Sequence, residues 1–329
     1  MRTSLIDTFG RRHNNLRISV TDRCNLRCTY CMPEDVVFME RSHLLSFEEI
    51  THFVEVAATQ GIDKIRLTGG EPLMRKELPT LVSMLTNVPG IRDVGLTTNA
   101  LLLPNQAQSL FDAGLRRINI SLDTLDPDRF FEMTRRTGLK ETLEGIQAAK
   151  KAGFNPIKIN AVSIRGYTEH EVVPLAKFAR EQGLEMRFIE YMPIGADAWE
   201  RDKVYFAHEI LEQIESHVAP LIPAHDYDPS APAMDFEYTD GGGRVGIIAS
   251  VSRPFCQSCN RLRLTADGKL RNCLFALNEV DVKPLLRGQP DDEKLASMIR
   301  QNVRDKWEGH EINTARFVKP DRTMHSIGG

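Results

Sequence analysis

The sequence predicts an α/β fold, an incomplete TIM-like barrel of six βα units followed by a smaller, β-rich C-terminal domain. Three observations carry that reading. Strand-like and helix-like segments alternate through the first two thirds of the 329 residues. The strand segments are continuous or nearly continuous apolar runs, as parallel strands buried on both faces should be. Near residue 220 the texture changes to a stretch rich in Pro, Asp and Gly. A doubly wound sheet is the alternative, because strand order is not legible in one sequence.

The first strand is "LRISV" (16–20), which runs into a cysteine-bearing loop. After it, "SFEEITHFVEVAATQG" (46–61) places Ser46 and Glu49 at capping-box spacing, with Gly61 as a stop. "KIRLTGG" (64–70), a helix near 77–87, "DVGLTTN" (93–99), a helix near 104–113 and "RINISLD" (117–123) continue the alternation. A helix over 141–153, the strand "IKINAVSI" (157–164), a helix opening at Thr168 with Glu171 boxed to it, and "EMRFIEYM" (185–192) complete the series. Polar residues gather at the C-terminal strand ends, where parallel α/β folds place their sites. The segment 219–244 reads as a boundary, giving domains over 1–220 and 221–329. Beyond it, 244–252 reads as a strand and 261–275 as a hairpin turning at Asp267-Gly268. A helix near 291–307 and a polar tail follow.

Composition excludes several function classes. Hydrophobic residues make up 41% and charged residues 26%, an ordinary globular balance, and the net charge is −3. No generic polyanion surface is expected, so nucleic acid is not an expected partner. The first fifteen residues lack an apolar h-region, and no run of 18 apolar residues exists, so neither a secretory signal nor a spanning helix is expected. The chain is expected to be cytoplasmic, where thiols stay free or bind metal.

The six cysteines fall into two sets of three, 24/28/31 and 256/259/273. Scattered core thiols or three disulfides would not cluster in this way. The first set is spaced CxxxCxxC within "TDRCNLRCTYCMPE" (21–34). Three thiolates can hold one metal centre, but closed structural zinc needs four ligands; His43 is a candidate fourth, which leaves zinc open. A [4Fe–4S] cube also takes four ligands, and with three cysteines one iron stays open. CxxxCxxC straight after the first strand, with Tyr30 before the third cysteine, resembles the radical S-adenosylmethionine (SAM) superfamily. "LTGGEP" (67–72) closes the next strand, and its adjacent glycines allow the backbone to approach a ligand closely. A GGE segment at this point adds to the resemblance. The second set, "CQSC" plus Cys273, also lacks a fourth cysteine. CxxC alone also suits a zinc ribbon or a redox pair, and Arg261 and Arg263 lie between Cys259 and Cys273, two residues apart, on one face of a strand.

Together these stretches resemble the GTP 3′,8-cyclase family nearly end to end, from "LRISVTDRCNLRCTYCMP" through "KIRLTGGEPLMR", "TTNA" and "RINISLD" to "FCQSCNRLRLTADGKLRNCLF" and the terminal Gly328-Gly329. The resemblance implies a radical SAM enzyme that joins C3′ of GTP to C8, the first step of molybdenum cofactor biosynthesis. It implies two [4Fe–4S] clusters and SAM as cofactors. Cys24, Cys28 and Cys31 would hold the SAM cluster, and Cys256, Cys259 and Cys273 the auxiliary one. Tyr30, Gly70, Ser121 and Met192 would contact SAM. Arg17, Arg66, Thr97, Lys158, Arg261, Leu262 and Arg263 would contact GTP, and Gly328 and Gly329 would reach the active site. Expected partners are GTP, an external electron donor, a cyclic pyranopterin monophosphate synthase by product hand-over, and a second copy of the chain. Ala100 departs from the family, which often has glycine after "TTN"; a local backbone adjustment is expected.

The residues themselves support an anion site. Arg17, Arg66 and Lys158 lie within predicted strands, where an unpaired cation facing a core is costly. A cavity holding a triphosphate would give each a counter-charge; local carboxylates are the alternative. Two rival functions stand beside the cyclase. A radical SAM peptide-modifying enzyme would usually carry more C-terminal cysteines, and a non-catalytic Fe–S or zinc regulator leaves "LTGGEP" unexplained.

Overall fold

The computed structural model describes residues 4–195, 198–226, 228–288 and 290–328. Six strands come from the first two thirds of the chain: β1 (Asn15–Ser19), β2 (Lys64–Thr68), β3 (Asp93–Thr98), β4 (Arg117–Ser121), β5 (Ile157–Ser163) and β6 (Glu185–Glu190). Helices α1 (Phe47–Thr59), α2 (Leu78–Thr86), α3 (Ala107–Asp112), α4 (Pro127–Thr134), α5 (Leu139–Ala152), α6 (Val172–Gln182) and α7 (Ala207–His217) alternate with them. Later come β7 (Leu221–Pro223), β8 (Met234–Tyr238), β9 (Arg244–Ile248), β10 (Arg261–Leu264), β11 (Lys269–Arg271) and β12 (Val280–Asp281). The chain closes with α8 (Lys283–Arg287), α9 (Asp292–Arg304) and α10 (Met324–Ile327).

Among the described residues twelve strands form one sheet in the order β12-β11-β10-β1-β2-β3-β4-β5-β6-β9-β8-β7. From β10 through β9 every pairing is parallel. Strands β1 to β6 follow in sequence order. A doubly wound sheet reverses direction at a switch point, so this order decides for the incomplete barrel. The C-terminal strands extend both edges of that sheet: β10 pairs with β1, and β9 with β6. Antiparallel hairpins then finish the edges, and α8 and α9 pack back on α1.

Local signals behave as their chemistry requires. Ser46 Oγ accepts from the Glu49 amide at 3.1 Å, and the Glu49 carboxylate accepts from the Ser46 amide at 2.7 Å, closing the capping box. The hairpin of β10 and β11 turns at Gly268, whose φ of +80° suits a residue without a side chain. Two expectations are corrected. Thr168 does not box with Glu171; its hydroxyl accepts from the Ile164 amide and donates to the Val162 carbonyl, so α6 begins only at Val172. The strand expected over 244–252 ends at Ile248.

The strands are not apolar on both faces. Leu16, Ile18, Ile65, Leu67, Ile118 and Ile120 pack outward with Phe53, Leu81 and Ile146 in one core. The alternate residues, including Arg17, Arg66, Asn119 and Lys158, line a cavity inside the barrel. A packed barrel core would need apolar residues there; this barrel is built around a polar lumen. Among the described residues no helix is long and apolar enough to cross a membrane.

Candidate functional site

The first cysteine loop is seated on β2 by its two glycines. The Gly70 amide donates to the Thr21 carbonyl and the Glu71 amide to the Arg23 carbonyl, both at 2.7 Å. A Cβ on Gly70 would stand 2.4 Å from the Arg23 carbonyl oxygen, and one on Gly69 2.7 Å from that of Thr21. The close approach expected at "LTGGEP" is therefore made by the chain's own loop backbone. Glu71 then ties β2 to β3: its carboxylate accepts from the Leu73 amide, the Thr98 hydroxyl and the Asn99 amide. Burial, with Glu71 nearby, pushes the Cys24 thiol up to about 12, and burial lifts Cys28 well above its ordinary value. Tyr30 donates to Asp123 Oδ2 at 2.6 Å, and burial raises Asp123 to about 6.

The second set stands at the other end of the barrel. Cys256 and Cys259 precede β10, which runs parallel to β1, and Cys273 follows the antiparallel β11. These three therefore sit at the N-terminal end of the parallel strands, whereas Cys24, Cys28 and Cys31 follow the C-terminal end of β1. The loop is held from the N-terminal segment. Arg11 donates to the carbonyls of Cys256 at 2.7 Å and of Trp307 and Glu308 at 2.6 Å, while Asp7 pairs with its Nε. Burial opposes ionisation of Cys259, but Arg261 and Lys306 outweigh it and draw the thiol down to about 6.

A cavity of about 530 Å³ joins the two sets, and all six cysteines line it. Strand register stacks its polar walls in layers. Arg263, Arg17 and Arg66 are side by side on β10, β1 and β2. Two residues further along lie Thr97, Asn119 and Lys158 on β3, β4 and β5. Lys158 pairs with Glu185, Arg117 with Asp93 and Arg187 with Asp235. Among the described residues Arg17, Arg66, Arg261 and Arg263 pair with no carboxylate. Arg66 donates to the Leu96 carbonyl, Arg263 to the Gly328 carbonyl, and Arg261 lies 4.4 Å from the Phe255 ring centre. Burial lowers Arg66 to about 9, helped by Arg117 and Arg187, and lowers Arg263 to about 9, helped by Arg261. Four cations crowded without carboxylates favour an anion.

Each candidate residue now has a place. Tyr30, Gly70, Ser121, Met192, Arg17, Arg66, Thr97, Lys158, Arg261 and Arg263 all line the cavity. Leu262 does not: strand alternation turns its side chain into the apolar core. Gly328 packs against the ends of β1 and β2, where a Cβ would stand 2.4 Å from Thr68 Oγ1. Gly329 lies outside the described residues. Ala100 takes φ +65°, the conformation glycine would adopt freely, so the adjustment is accepted strain of about 1 kcal/mol.

Each set brings three free thiols to one end of the cavity, the donor number of a cluster that leaves one coordination position open. Among the described residues no three His, Cys, Asp or Glu converge closely enough to chelate a single ion. The cavity also presents a buried acceptor: Asn160 lines it, and its Oδ1 has no hydrogen-bond partner among the described residues.

Known proteins resemble this chain in sequence and in fold. The family model described as "Radical SAM superfamily" matches residues 18–179, and "Molybdenum Cofactor Synthesis C" matches 184–312. The GTP 3′,8-cyclase of Rhodopirellula baltica is 46% identical over 331 residues, covering 99% of this chain and 92% of that one. That of Moorella thermoacetica is 47% identical over 325 residues, covering 98% and 99%. The chain belongs to the GTP 3′,8-cyclase family. Among solved structures, Streptococcus suis SuiB bound to S-adenosylmethionine has a TM-score of 0.63 at 14% identity, covering 94% of this chain and 76% of that one. Native anSMEcpe with bound AdoMet has a TM-score of 0.55 at 17% identity, covering 84% and 80%. These two share the fold.

In this member of the GTP 3′,8-cyclase family sequence reasoning missed four residues at or beside the site. Arg117 and Arg187 carry the signal that exposed Arg66, a cation inside a predicted strand. Gly95 carries none, and Lys306 lies in a segment with no local motif.

Proposed function

We propose that the chain converts GTP to 3′,8-cyclo-7,8-dihydro-GTP, the first step of molybdenum cofactor biosynthesis. The observation that carries this reading is the lumen itself. Two three-cysteine sets stand at opposite ends of one cavity, and arginines without carboxylate partners lie between them.

In this reading Cys24, Cys28 and Cys31 hold one [4Fe–4S] cluster, and Cys256, Cys259 and Cys273 hold the other. With SAM bound, the chemistry supplied at the first is one-electron cleavage to a 5′-deoxyadenosyl radical, which takes the 3′ hydrogen of GTP before C3′ joins C8. The protein's part is placement. Tyr30, Gly70, Ser121 and Met192 hold SAM beside the first set. Arg17, Arg66 and Lys158 hold the triphosphate, Thr97 adds a hydroxyl, and Arg261 and Arg263 hold GTP at the second set. Lys158 shares Glu185, so its charge is the more nearly compensated one. Gly328 brings the tail over the strand ends and excludes water, and a role for Gly329 at the active site belongs to the same proposal. An external electron donor, hand-over of product to a cyclic pyranopterin monophosphate synthase, association of two copies and a cytoplasmic site belong to the same proposal. So does a division of labour between residues 1–220 for radical generation and 221–329 for the second cluster.

The test is anaerobic reconstitution with iron and sulfide, then SAM, GTP and dithionite, with products followed by mass spectrometry. Both 5′-deoxyadenosine and a cyclised GTP are expected, and neither from Cys24→Ala. 5′-Deoxyadenosine without change to GTP overturns the substrate; no 5′-deoxyadenosine from a protein holding both clusters overturns the enzyme.

A further inference from the structure

Lys306 is a buried cation that the proposed reaction does not use. It follows the last turn of α9, is 5% exposed, and is not among the residues lining the cavity. Its ammonium donates to Cys259 Sγ at 3.4 Å and to the Arg261 carbonyl at 2.8 Å. Among the described residues no carboxylate pairs with it; its charged neighbours are Cys259, Cys273, Arg261 and, across the loop, His13. A buried ammonium without a carboxylate is costly unless another negative group faces it. Here that group is thiolate sulfur.

Cys24 Sγ accepts from neutral amides, the Leu26 backbone at 3.4 Å and the Asn99 side chain at 3.9 Å. At the second set the donor is a full positive charge. Hydrogen bonds to cluster sulfurs and local net charge are two of the levers that set a cluster's reduction potential. A cation beside a ligand sulfur stabilises the added electron, so it raises the potential.

We propose that Lys306 is a positioning residue for the C-terminal centre, donating a charge-assisted hydrogen bond to Cys259 Sγ that raises the reduction potential of the cluster held there. The proposal rests on the reading of Cys256, Cys259 and Cys273 as cluster ligands. Arg261 also faces Cys259, but it belongs to the cavity wall, which Lys306 does not line.

The test uses the full-length chain, reconstituted in a background where Cys24, Cys28 and Cys31 are all alanine, so that only the C-terminal centre is read. Redox titration followed by electron paramagnetic resonance gives its midpoint. Lys306→Met is expected to disfavour reduction about tenfold, a 59 mV fall for a one-electron couple, with iron content retained. Lys306→Arg keeps the charge and is expected to stay near the parent. In the wild-type background the N-terminal midpoint should not move. An unchanged midpoint in K306M with iron retained overturns the role of Lys306, as does an equal fall in K306R. If K306M loses its iron, recovery of iron in K306R supports the proposal and failure to recover it overturns it. A parent that binds no iron overturns the cluster reading and this proposal together.

Discussion

The Arg66 guanidinium lies where a side chain on Gly95 would be. A Cβ on Gly95 would stand 3.2 Å from Arg66 Cζ, and the two residues are register partners on β2 and β3. Gly95 has ordinary strand conformation, so its role is room rather than backbone freedom.

Gly95→Val is therefore expected to fold, since a β-branched residue suits a strand, but to push Arg66 out of the lumen. Loss of one charge-assisted contact to phosphate costs about 1.5 to 3 kcal/mol. GTP affinity of the reconstituted protein should fall about 10- to 100-fold by calorimetry, with 5′-deoxyadenosine formation from SAM retained. Wild-type GTP affinity in Gly95→Val would show that Arg66 does not meet the nucleotide.

The tail offers a second test. Gly328 has φ +73°, and its carbonyl accepts from Arg263 Nη1 at 2.5 Å. Alanine there meets Thr68 Oγ1 at 2.4 Å and adds left-handed strain of about 1 to 2 kcal/mol. Gly328→Ala should release α10, making the last residues accessible to carboxypeptidase, and lower GTP turnover at least tenfold while the urea midpoint holds. A protected tail with full turnover would remove the tail from the site.

Glu71 is the link between the two strand ends beneath the first cysteine loop. Glu71→Ala strands the Leu73 and Asn99 amides and the Thr98 hydroxyl, each donor costing about 1 to 3 kcal/mol when left unmet. A stability loss of about 3 kcal/mol or more is expected by urea unfolding, together with lower iron content at the first set. Glu71→Ala with unchanged stability would mean that the loop is seated by Gly69 and Gly70 alone.

His13 sets an acid limit. It is fully buried, with Nε2 3.0 Å from Asp7 Oδ2. Burial, then the nearby Lys306, hold it down to about 4 against an ordinary 6.5. Between those values the folded chain binds fewer protons than the unfolded one, so stability falls as pH drops from about 6.5 towards 4, by on the order of 3 kcal/mol. Urea midpoints at pH 7.5 and pH 5 should differ less in His13→Gln than in wild type. Equal differences would assign the acid loss to other groups, Asp7 among them.

Much of this was legible in the sequence because it is local. Cysteine spacing, the capping box at Ser46 and the turn at Gly268 each depend on residues a few positions apart, and their chemistry reads directly. The alternation along β1 was present too: Arg17 between Leu16 and Ile18 is the period-two pattern of a strand with one polar face. Read as a nearly apolar run, it concealed the polar lumen.

The sequence by itself determined the kind of chemistry: two incomplete thiolate sets, glycines beside the first, and cations placed inside strands. Tertiary structure decided the site. Only strand order puts Arg263, Arg17 and Arg66 in one row, and only folding brings Arg11 to Cys256 across 245 positions and Lys306 to Cys259 across 47. The physical reason is that register and burial are collective. A lysine's acceptor or a glycine's neighbour is supplied by other strands, and no spacing within one segment records it.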